Sequence, residues 1–338
     1  MKAVFIREDG SIDVSTTPDP APGRDEVVIA VGAAGICGTD LHIIDREIEF
    51  ATLPVVPGHE LSGTVVALGP DVDARSVALG DRVAVSPGIT CGVCRYCRRG
   101  RSNLCPHASG IGISRNGGAA EFAAVPAANC YALPAEMPMH AGALVEPLSC
   151  AIHGMDLLPR GIDEEYLIYG AGTMGLLMMQ LALASSARSV SVIDTNPGRL
   201  ESARMLGAHH VANSADDLSR EYGWSTVIDC TGAVAAIEDG LSRVDRGGTF
   251  QAFGVARGDA LARISPFRLY HDEITIVGSM AVLNSFGRAV DVMASGAVDA
   301  DVIVSHQLGL DDYPTAINLF RNKEGRKIMV TPPSTWAG

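Results

Sequence analysis

The sequence predicts an α/β protein of two domains, an irregular antiparallel β domain followed by a doubly wound parallel sheet. The chain has 338 residues, which corresponds to about two domains at roughly 150 residues each. Its first 150 residues are dense in glycine and proline and contain short β-rich runs. From about residue 165, apolar strands alternate with helical stretches, an order typical of a parallel sheet with helices on both faces.

The first domain is assigned to residues 1–150. Its β-rich runs are residues 26–31, 61–68 and 81–85. Turns such as 18–23 and 54–58 separate these runs, and this alternation favours antiparallel pairing.

The second domain is assigned to residues 151–285. Six short apolar strands are predicted there, at residues 166–169, 189–193, 209–212, 226–230, 249–253 and 274–278. Helical stretches at 173–185 and 197–206 separate the early strands. Residues 286–338 contain two helix-like segments and a late strand at 326–330, but no core of their own. We therefore expect them to complete the first domain.

Charge composition excludes several partners and chemistries. The chain has 26 Lys+Arg against 39 Asp+Glu, a formal charge of −13, which disfavours nucleic acid and anionic membranes as partners. Lysine is rare, and its occurrences are Lys2, Lys323 and Lys327. None lies in a P-loop pattern or follows a tyrosine by four residues. P-loop NTPases, pyridoxal enzymes and short-chain dehydrogenases are therefore not expected.

One stretch raises the question of a membrane span. Residues 166–187 carry no formal charge and are long enough to cross a bilayer. Three glycines near its start and Gln180 later favour a buried strand that leads into a buried helix. The first residues become charged too early for a signal peptide, so we expect a cytoplasmic protein without a membrane partner.

A dinucleotide fingerprint lies within that stretch. Gly170, Gly172 and Gly175 form a G-x-G-x-x-G between an apolar strand and an apolar helix. The glycines permit a tight turn, close approach of the pyrophosphate and close helix–strand packing. Asp194 follows the next strand, where a carboxylate binds the ribose hydroxyls and repels a 2′-phosphate, which favours NAD. Arg199 lies nearby and leaves NADP as the less favoured alternative.

A cysteine cluster is the strongest metal signal in the chain. Cys91, Cys94, Cys97 and Cys105 place four thiols within 15 residues, enough to close a tetrahedral zinc site. Disulfides or redox thiols are alternatives, but a reducing compartment argues against disulfides. Arginines surround the cluster, at positions 95, 98, 99 and 101. Given the acidic chain, we interpret them as a solvated surface of this lobe.

A second possible metal site draws on residues far apart in the sequence. Cys37, His59, Glu60 and Glu146 each have an ordinary structural explanation when taken alone. Together they offer sulfur, nitrogen and oxygen ligands, but too few to saturate zinc, as an open catalytic site requires.

With these motifs, the chain resembles the zinc-containing medium-chain dehydrogenases/reductases over nearly its whole length. Gly58-His59-Glu60, followed by Gly63, Gly69 and Val72, matches the zinc signature of that family. The four-cysteine lobe and the fingerprint follow in the expected order. The resemblance implies a GroES-like first domain, an active site between the domains, one catalytic zinc and one structural zinc.

Within the family, the chain is most similar to the polyol (sorbitol-type) and threonine dehydrogenases, which share Cys-Gly-Thr-Asp-x-His. The resemblance implies that Cys37, His59 and Glu60 bind zinc, while Glu60 alternatively lies behind the ligands or exchanges with water. Glu146 would hold the zinc-bound water or the substrate hydroxyl, and Cys150 is an alternative ligand. Glu-Pro-Leu at 146–148 favours a neutral polyol or related secondary alcohol. L-Threonine and simple alcohols or diols remain alternatives.

The resemblance also implies further roles. Thr39 and His42 would carry the released proton, since imidazole exchanges protons readily near neutral pH. Met174, Gly254 and Ser279 would contact the bound cofactor. Relatives are dimers or tetramers, and residues 274–283 offer an edge strand for pairing.

A nucleotide-binding redox sensor or a nucleic-acid-binding zinc ribbon is the non-enzymatic alternative.

Overall fold

The chain divides into two units, which a computed structural model describes for residues 1–48, 50–159 and 161–333. Unit 1 comprises residues 1–149, 282–295 and 304–338, and unit 2 comprises residues 150–281 and 296–303. From its sequence the whole of 286–338 was expected with the β domain, whereas residues 296–303 group with unit 2.

The strands of the first 150 residues are short apart from two. They are β1 (Lys2–Ile6), β2 (Ile12–Thr16), β3 (Glu26–Gly35), β4 (Glu60–Leu68), β5 (Arg82–Val85), β6 (Gly88–Ile89), β7 (Ser109–Gly110), β8 (Phe122–Pro126) and β9 (Cys130–Ala132). The helices there are α1 (Gly38–Ile44), α2 (Met139–Ala143) and α3 (Val145–Asp156).

The remaining elements follow the predicted alternation. The strands are β10 (Glu165–Tyr169), β11 (Ser189–Ile193), β12 (His210–Ala212), β13 (Trp224–Asp229), β14 (Val244–Ala252), β15 (Thr275–Gly278), β16 (Val304–Leu308) and β17 (Lys327–Val330). The helices are α4 (Thr173–Ala184), α5 (Pro197–Met205), α6 (Val234–Arg243), α7 (Pro266–His271), α8 (Phe286–Ala294), α9 (Ala300–Ile303) and α10 (Tyr313–Arg321).

The main sheet of unit 1 is built around the long strand β3. Its order is β16-β17-β3-β4-β5-β9, and β8 also pairs with β3. β3 pairs antiparallel with β4, β8 and β17, so most of its residues are buried between neighbours. Valine and isoleucine side chains of β3, β4 and β5 pack into one apolar cluster, as expected of β-branched residues on a half-buried pleated surface.

The carboxyl-terminal segment completes this sheet. β17 pairs with the end of β3, where Met329 lies opposite Gly35. Side chains from α10 and β17, including Tyr313 and Ile328, pack with Val4 and Ile36 in a second apolar cluster. The late strand expected at 326–330 is therefore present as β17, and its side chains pack into the core of the β domain.

Unit 2 contains a parallel sheet of six strands in the order β12-β11-β10-β13-β14-β15. The order reverses at β10, as in a doubly wound sheet, so the predicted fold class is confirmed for this part. The uncharged stretch 166–187 contains strand β10, the glycine turn and helix α4. No helix among the described residues is both long and apolar enough to cross a membrane.

Candidate functional site

The glycine fingerprint occupies the turn between β10 and α4 in unit 2. Gly170 has a φ of +96°, a conformation that glycine adopts without strain. A Cβ on Gly175 would lie 1.7 Å from the carbonyl oxygen of Gly170, so the turn closes tightly only with glycine there. The turn thus leaves the amino end of α4 accessible to a pyrophosphate.

Asp194 lies directly after β11 and is fixed by this turn. Its Oδ2 accepts a hydrogen bond from the Ala171 N–H at 2.7 Å, and its Oδ1 accepts one from the Asn196 N–H at 2.8 Å. The guanidinium of Arg199 lies 3.7 Å from where a Cβ on Gly172 would be. A carboxylate and a guanidinium therefore flank the same turn, as the sequence spacing predicted.

The other residues expected to contact the cofactor lie beyond the carboxyl ends of the strands of the same sheet. Met174 is in the first turn of α4, Gly254 follows β14, and Ser279 follows β15. A Cβ on Gly254 would lie 2.3 Å from the Gly232 nitrogen, so the loops after β13 and β14 approach closely there. In open α/β sheets, ligands bind beyond the carboxyl ends of the strands, where these residues lie.

The four-cysteine lobe brings its sulfur atoms together. The Sγ atoms of Cys91, Cys94, Cys97 and Cys105 all lie within 4.8 Å of one another. The Cys91–Cys105 and Cys94–Cys105 Sγ distances are 3.5 and 3.9 Å. Four thiolates at about 2.3 Å from zinc would lie about 3.8 Å apart in a tetrahedron. The donor set therefore fits a closed structural zinc site.

Backbone amides in the lobe favour thiolate ligands. The N–H groups of Val93 and Cys94 point at Cys91 and lower the pKa of its thiol to about 6. The Cys97 N–H donates to the Sγ of Cys94 at 3.5 Å. Because zinc binds thiolates rather than thiols, these amides favour the metal-binding form of Cys91 and Cys94, whereas desolvation and the neighbouring thiols raise the pKa of Cys97 to about 11. The surrounding arginines are exposed, as expected, at positions 95, 98, 99 and 101.

The second cluster forms where β3 and β4 meet. Gly35 at the end of β3 lies opposite Glu60 at the start of β4, so the antiparallel register brings Cys37 next to His59. The φ of Gly58 is +91°, and this turn directs the chain into β4. The ligand atoms of Cys37, His59 and Glu60 all lie within 4.8 Å of one another.

The chemistry of this cluster fits a metal cation. Burial opposes charging of the imidazole, but the charges of Cys37, Asp40 and Glu146 raise the pKa of His59 well above its ordinary value. An environment that favours a protonated imidazole is one that favours positive charge. Sulfur, nitrogen and oxygen donors are also the ligands that zinc takes in catalytic sites.

Buried polar atoms without partners surround the cluster. Within the described ranges, they include Asp40 Oδ1, His59 Nδ1 and Tyr313 OH. Asp40 Oδ1 lies 4.0 Å from His59 Nδ1, which is too far for a hydrogen bond but close enough for their charges to interact. The other Asp40 oxygen accepts the Cys37 N–H at 2.8 Å, which fixes the first turn of α1.

A buried lysine binds the third candidate ligand. Lys327 Nζ donates to Oε1 and Oε2 of Glu60 at 2.7 and 2.5 Å, and to the Ile36 carbonyl at 2.9 Å. Burial alone would lower the pKa of Lys327, but the charges of Glu60 and Cys37 raise it above its ordinary value. The lysine therefore stays cationic beside Glu60.

Glu146 and Cys150, the remaining candidate ligands, both lie in α3. Glu146 is buried, and its charge acts on His59 and Lys327. The three-residue group of Cys37, His59 and Glu60 includes neither side chain.

The two expected proton carriers lie on α1. Cys37 Sγ is 3.8 Å from Thr39 Oγ1, and His42 Nδ1 is 2.5 Å from Glu47 Oε2. Thr39 and His42 are three residues apart and therefore share a face of the helix. His42 and Glu47 are both partly exposed, so this pair reaches water.

Asp40, Tyr313 and Lys327 had no role assigned from the sequence. Asp40 follows Cys37 by three residues, a spacing that indicates a capping contact. Lys327 begins an apolar strand, and a lysine buried in such a strand is expected to have a charged partner. No sequence pattern indicates the position of Tyr313.

Comparisons with known proteins agree with both units. Residues 23–135 match the model of the alcohol dehydrogenase GroES-like domain, and residues 173–295 match that of the zinc-binding dehydrogenases. The chain is 33% identical to D-arabinitol dehydrogenase 1 of Uromyces fabae, over 98% of this chain and 97% of that protein. It is 30% identical to L-threonine 3-dehydrogenase of Shewanella frigidimarina, over 98% and 99% of the two chains.

One of the similar solved structures contains a bound nicotinamide dinucleotide. A zinc-binding dehydrogenase from Sinorhizobium meliloti 1021, bound to NADP, has a TM-score of 0.92 and 32% identity. The similarity covers 98% of this chain and 99% of that one. The GroES-like fold, the dehydrogenase activity, and zinc and a nicotinamide dinucleotide as cofactors are thereby confirmed. The chain belongs to the zinc-dependent, medium-chain alcohol dehydrogenase family.

Proposed function

We propose that this enzyme reversibly oxidises a secondary alcohol of a polyol to a ketone, with zinc at the Cys37–His59 site and NAD as hydride acceptor. The observation that carries the proposal is that the ligand atoms of Cys37, His59 and Glu60 lie within 4.8 Å of one another. In the reaction the alcohol carbon loses a hydride to the nicotinamide, and the hydroxyl loses a proton.

The protein side chains would prepare the site for this chemistry. A zinc ion held there would supply Lewis acidity, which favours loss of the hydroxyl proton at neutral pH. Asp40 would interact with His59 through its charge, and buried Glu146 would accept a hydrogen bond from the substrate hydroxyl or from water.

The released proton needs a path to water, and α1 offers one. The Thr39 hydroxyl, close to Cys37, would accept the proton, and His42 would take it onward. Glu47 holds the His42 ring at 2.5 Å and is itself partly exposed, so the proton can leave to solvent.

Asp194 supports NAD over NADP. Both of its oxygens are held by backbone N–H groups, so the carboxylate is fixed beside the fingerprint turn. A fixed carboxylate accepts hydrogen bonds from ribose hydroxyls and repels a 2′-phosphate. Arg199 and the NADP bound to the Sinorhizobium protein support the alternative.

Two observations favour a polyol as the substrate class. The similar protein from Uromyces fabae is a D-arabinitol dehydrogenase, and Glu146-Pro147-Leu148 follows the polyol pattern. L-Threonine is the second candidate, because the similar protein from Shewanella frigidimarina is an L-threonine 3-dehydrogenase.

The test is the formation of NADH or NADPH, followed at 340 nm, with a panel of substrates. The panel contains five- and six-carbon sugar alcohols, vicinal diols, simple secondary alcohols and L-threonine. We expect kcat/KM to be highest for a sugar alcohol, and higher with NAD than with NADP. Turnover of L-threonine alone would overturn the polyol assignment, and equal or better rates with NADP would overturn the role of Asp194.

We also propose that the enzyme is a dimer or tetramer that pairs through β15. β15 is an edge strand of the parallel sheet, and Ile276, Phe267 and Tyr270 on and near it are 42, 68 and 85% exposed. An unprotected apolar edge pairs readily with a second chain. Light scattering should give two or four times 35.3 kDa, and Ile276→Asp should lower that mass. A monomeric mass for the unaltered protein would contradict the proposal.

A further inference from the structure

One connection in the parallel sheet of unit 2 is built differently from the others. Between β12 and β13 the chain forms only a 3-10 turn, Ala215–Asp217, and a loop. In the described part of the chain, every other connection between successive strands of this sheet contains an α-helix, which is α4, α5, α6 or α7. Because a crossover helix normally covers one face of the sheet, its replacement by a loop leaves part of that face open.

A cleft of about 730 Å³ is lined by this loop and by the strands beneath it. It lies at the amino ends of the strands, whereas the fingerprint turn lies at the carboxyl end of β10. Its volume is within the range of about 300–1,000 Å³ that is typical of small-molecule sites. We call it the crossover cleft and define it by six of its lining residues: Glu165, Arg188, Ser191, Arg220, Tyr222 and Trp224.

The sheet face beneath the loop is polar at the crossover cleft. Side chains alternate along a strand, so Ser191 and Ile193 of β11 share one face. Ile193 packs with Ala215 and Leu218 of the loop, which identifies this face as the one beneath it. Ser191 is buried, and its Oγ accepts a hydrogen bond from Trp224 Nε1 at 3.3 Å. A serine in this place indicates that the face is not packed against an apolar helix, and it favours a polar occupant.

Two arginines at the floor of the cleft share one carboxylate. Glu165 accepts a hydrogen bond from Arg220 and lies 3.8 Å from the Nε of Arg188. The Arg220 guanidinium also lies over the Trp224 ring, 4.8 Å from its centroid, and this contact holds it in place. Neither arginine forms another ion pair with the described residues. Since a guanidinium has five N–H donors, the floor has a surplus positive charge and free donors for a second carboxylate.

The outer part of the cleft has the opposite charge. Asp217, Glu221 and Asp245 line it, and none of them forms an ion pair within the described ranges. A free anion would be repelled by these carboxylates and by the formal charge of −13 on the chain. A small molecule with an anionic end and a cationic end would match the floor and the outer part at once.

We propose that the crossover cleft binds a small zwitterion of the amino-acid type. Its carboxylate binds the guanidinium groups of Arg188 and Arg220, and its ammonium lies toward Asp217 and Glu221. The cleft shares no residue with the candidate zinc sites or with the fingerprint turn, and the inference does not rest on the proposed reaction.

The test uses tryptophan fluorescence to locate binding and calorimetry to measure Kd. The chain has two tryptophans, so Trp336→Phe leaves Trp224 as the reporter. The probes are L-norleucine with its single-charge analogues hexanoate and pentylamine, and L-phenylalanine with 3-phenylpropanoate and 2-phenylethylamine. We expect at least one of the two amino acids to change the Trp224 emission. It should bind at least about tenfold more tightly than either of its analogues, because each analogue lacks one charge-assisted contact.

Substitutions in the cleft make the test specific. Arg220→Met and Arg188→Met should each raise the Kd of the bound amino acid about tenfold. Arg188 is 70% exposed, so its variant remains informative if Arg220→Met does not fold. Arg204→Met is the matched control, because Arg204 forms an exposed ion pair with Glu201 on α5, outside the cleft. Arg204→Met and Cys37→Ser should both leave this Kd unchanged.

Three results would overturn the proposal. The first is the absence of any change in Trp224 emission with both amino acids. The second is binding that neither Arg188→Met nor Arg220→Met weakens, because the amino acid would then bind elsewhere. The third is equally tight binding of a single-charge analogue, which would show an anion site or a cation site instead. None of these results bears on the dehydrogenase reaction, which is tested separately with the substrate panel.

Discussion

The Cys37→Ser protein is expected to fold and to keep the zinc ion of the four-cysteine lobe. It is expected to lose the catalytic zinc ion, and with it nearly all turnover. Serine keeps the shape of the side chain and the backbone N–H that donates to Asp40. It removes the thiolate, the strongest ligand of the cluster. Loss of Lewis-acid stabilisation worth about 4 kcal/mol or more corresponds to at least about a thousandfold fall in kcat/KM.

The measurements are zinc content by mass spectrometry and kcat/KM on the best substrate of the panel. Cys130→Ser is the control, because burial raises the pKa of the Cys130 thiol to about 12 and keeps it protonated. Cys130 also lies outside both candidate metal groups of the described chain. If Cys37→Ser retained its zinc and its turnover, the catalytic site would have to lie elsewhere.

The Cys94→Ser protein is expected to lose the other zinc ion and to become less stable. A closed tetrahedral site contributes directly to folding, because its ligands are assembled only in the folded chain. A loss of about 3 kcal/mol corresponds to a fall in Tm of about 6–12 °C. The 3-10 turns at Cys97–Arg99 and Ser102–Leu104 bury no side chain, so without the metal little else holds the lobe together.

Trypsin distinguishes local opening of the lobe from general unfolding. The exposed arginines at 95, 98, 99 and 101 are cleavage sites within the lobe. Cleavage of Cys94→Ser should therefore begin between residues 95 and 101 and give two large fragments. The Cys37→Ser protein should resist cleavage there. Equal resistance of both proteins, with zinc still bound to Cys94→Ser, would argue against a structural zinc in the lobe.

The strands that were predicted correctly share one property. The strands of unit 2 consist largely of apolar residues between turn signals, so composition alone located β10 and β11 within a residue. β16 was not predicted, because its sequence Val-Ser-His-Gln-Leu mixes polar and apolar residues and is only half buried. Such a strand is defined by its neighbour β17 rather than by its own pattern.

The candidate metal sites also differ in how far the sequence alone could predict them. Cys91, Cys94, Cys97 and Cys105 are close in sequence, so their spacing was enough to predict a common metal. Cys37 and His59 were associated through a family signature, and the register of β3 and β4 supplies the physical reason for their proximity. Lys327 is 267 positions from Glu60, and no local pattern connects them.

The sequence by itself determined the parallel sheet, the glycine turn, the four-cysteine lobe and the family. The glycine turn and the four-cysteine lobe follow from residue types at fixed local spacings, and the parallel sheet follows from apolar strands that alternate with helices along the chain. Only the tertiary structure decided that β17 lies against the end of β3, which places a buried ammonium on Glu60. Such a contact depends on which strands become neighbours, and that choice is made by the packing of the whole unit.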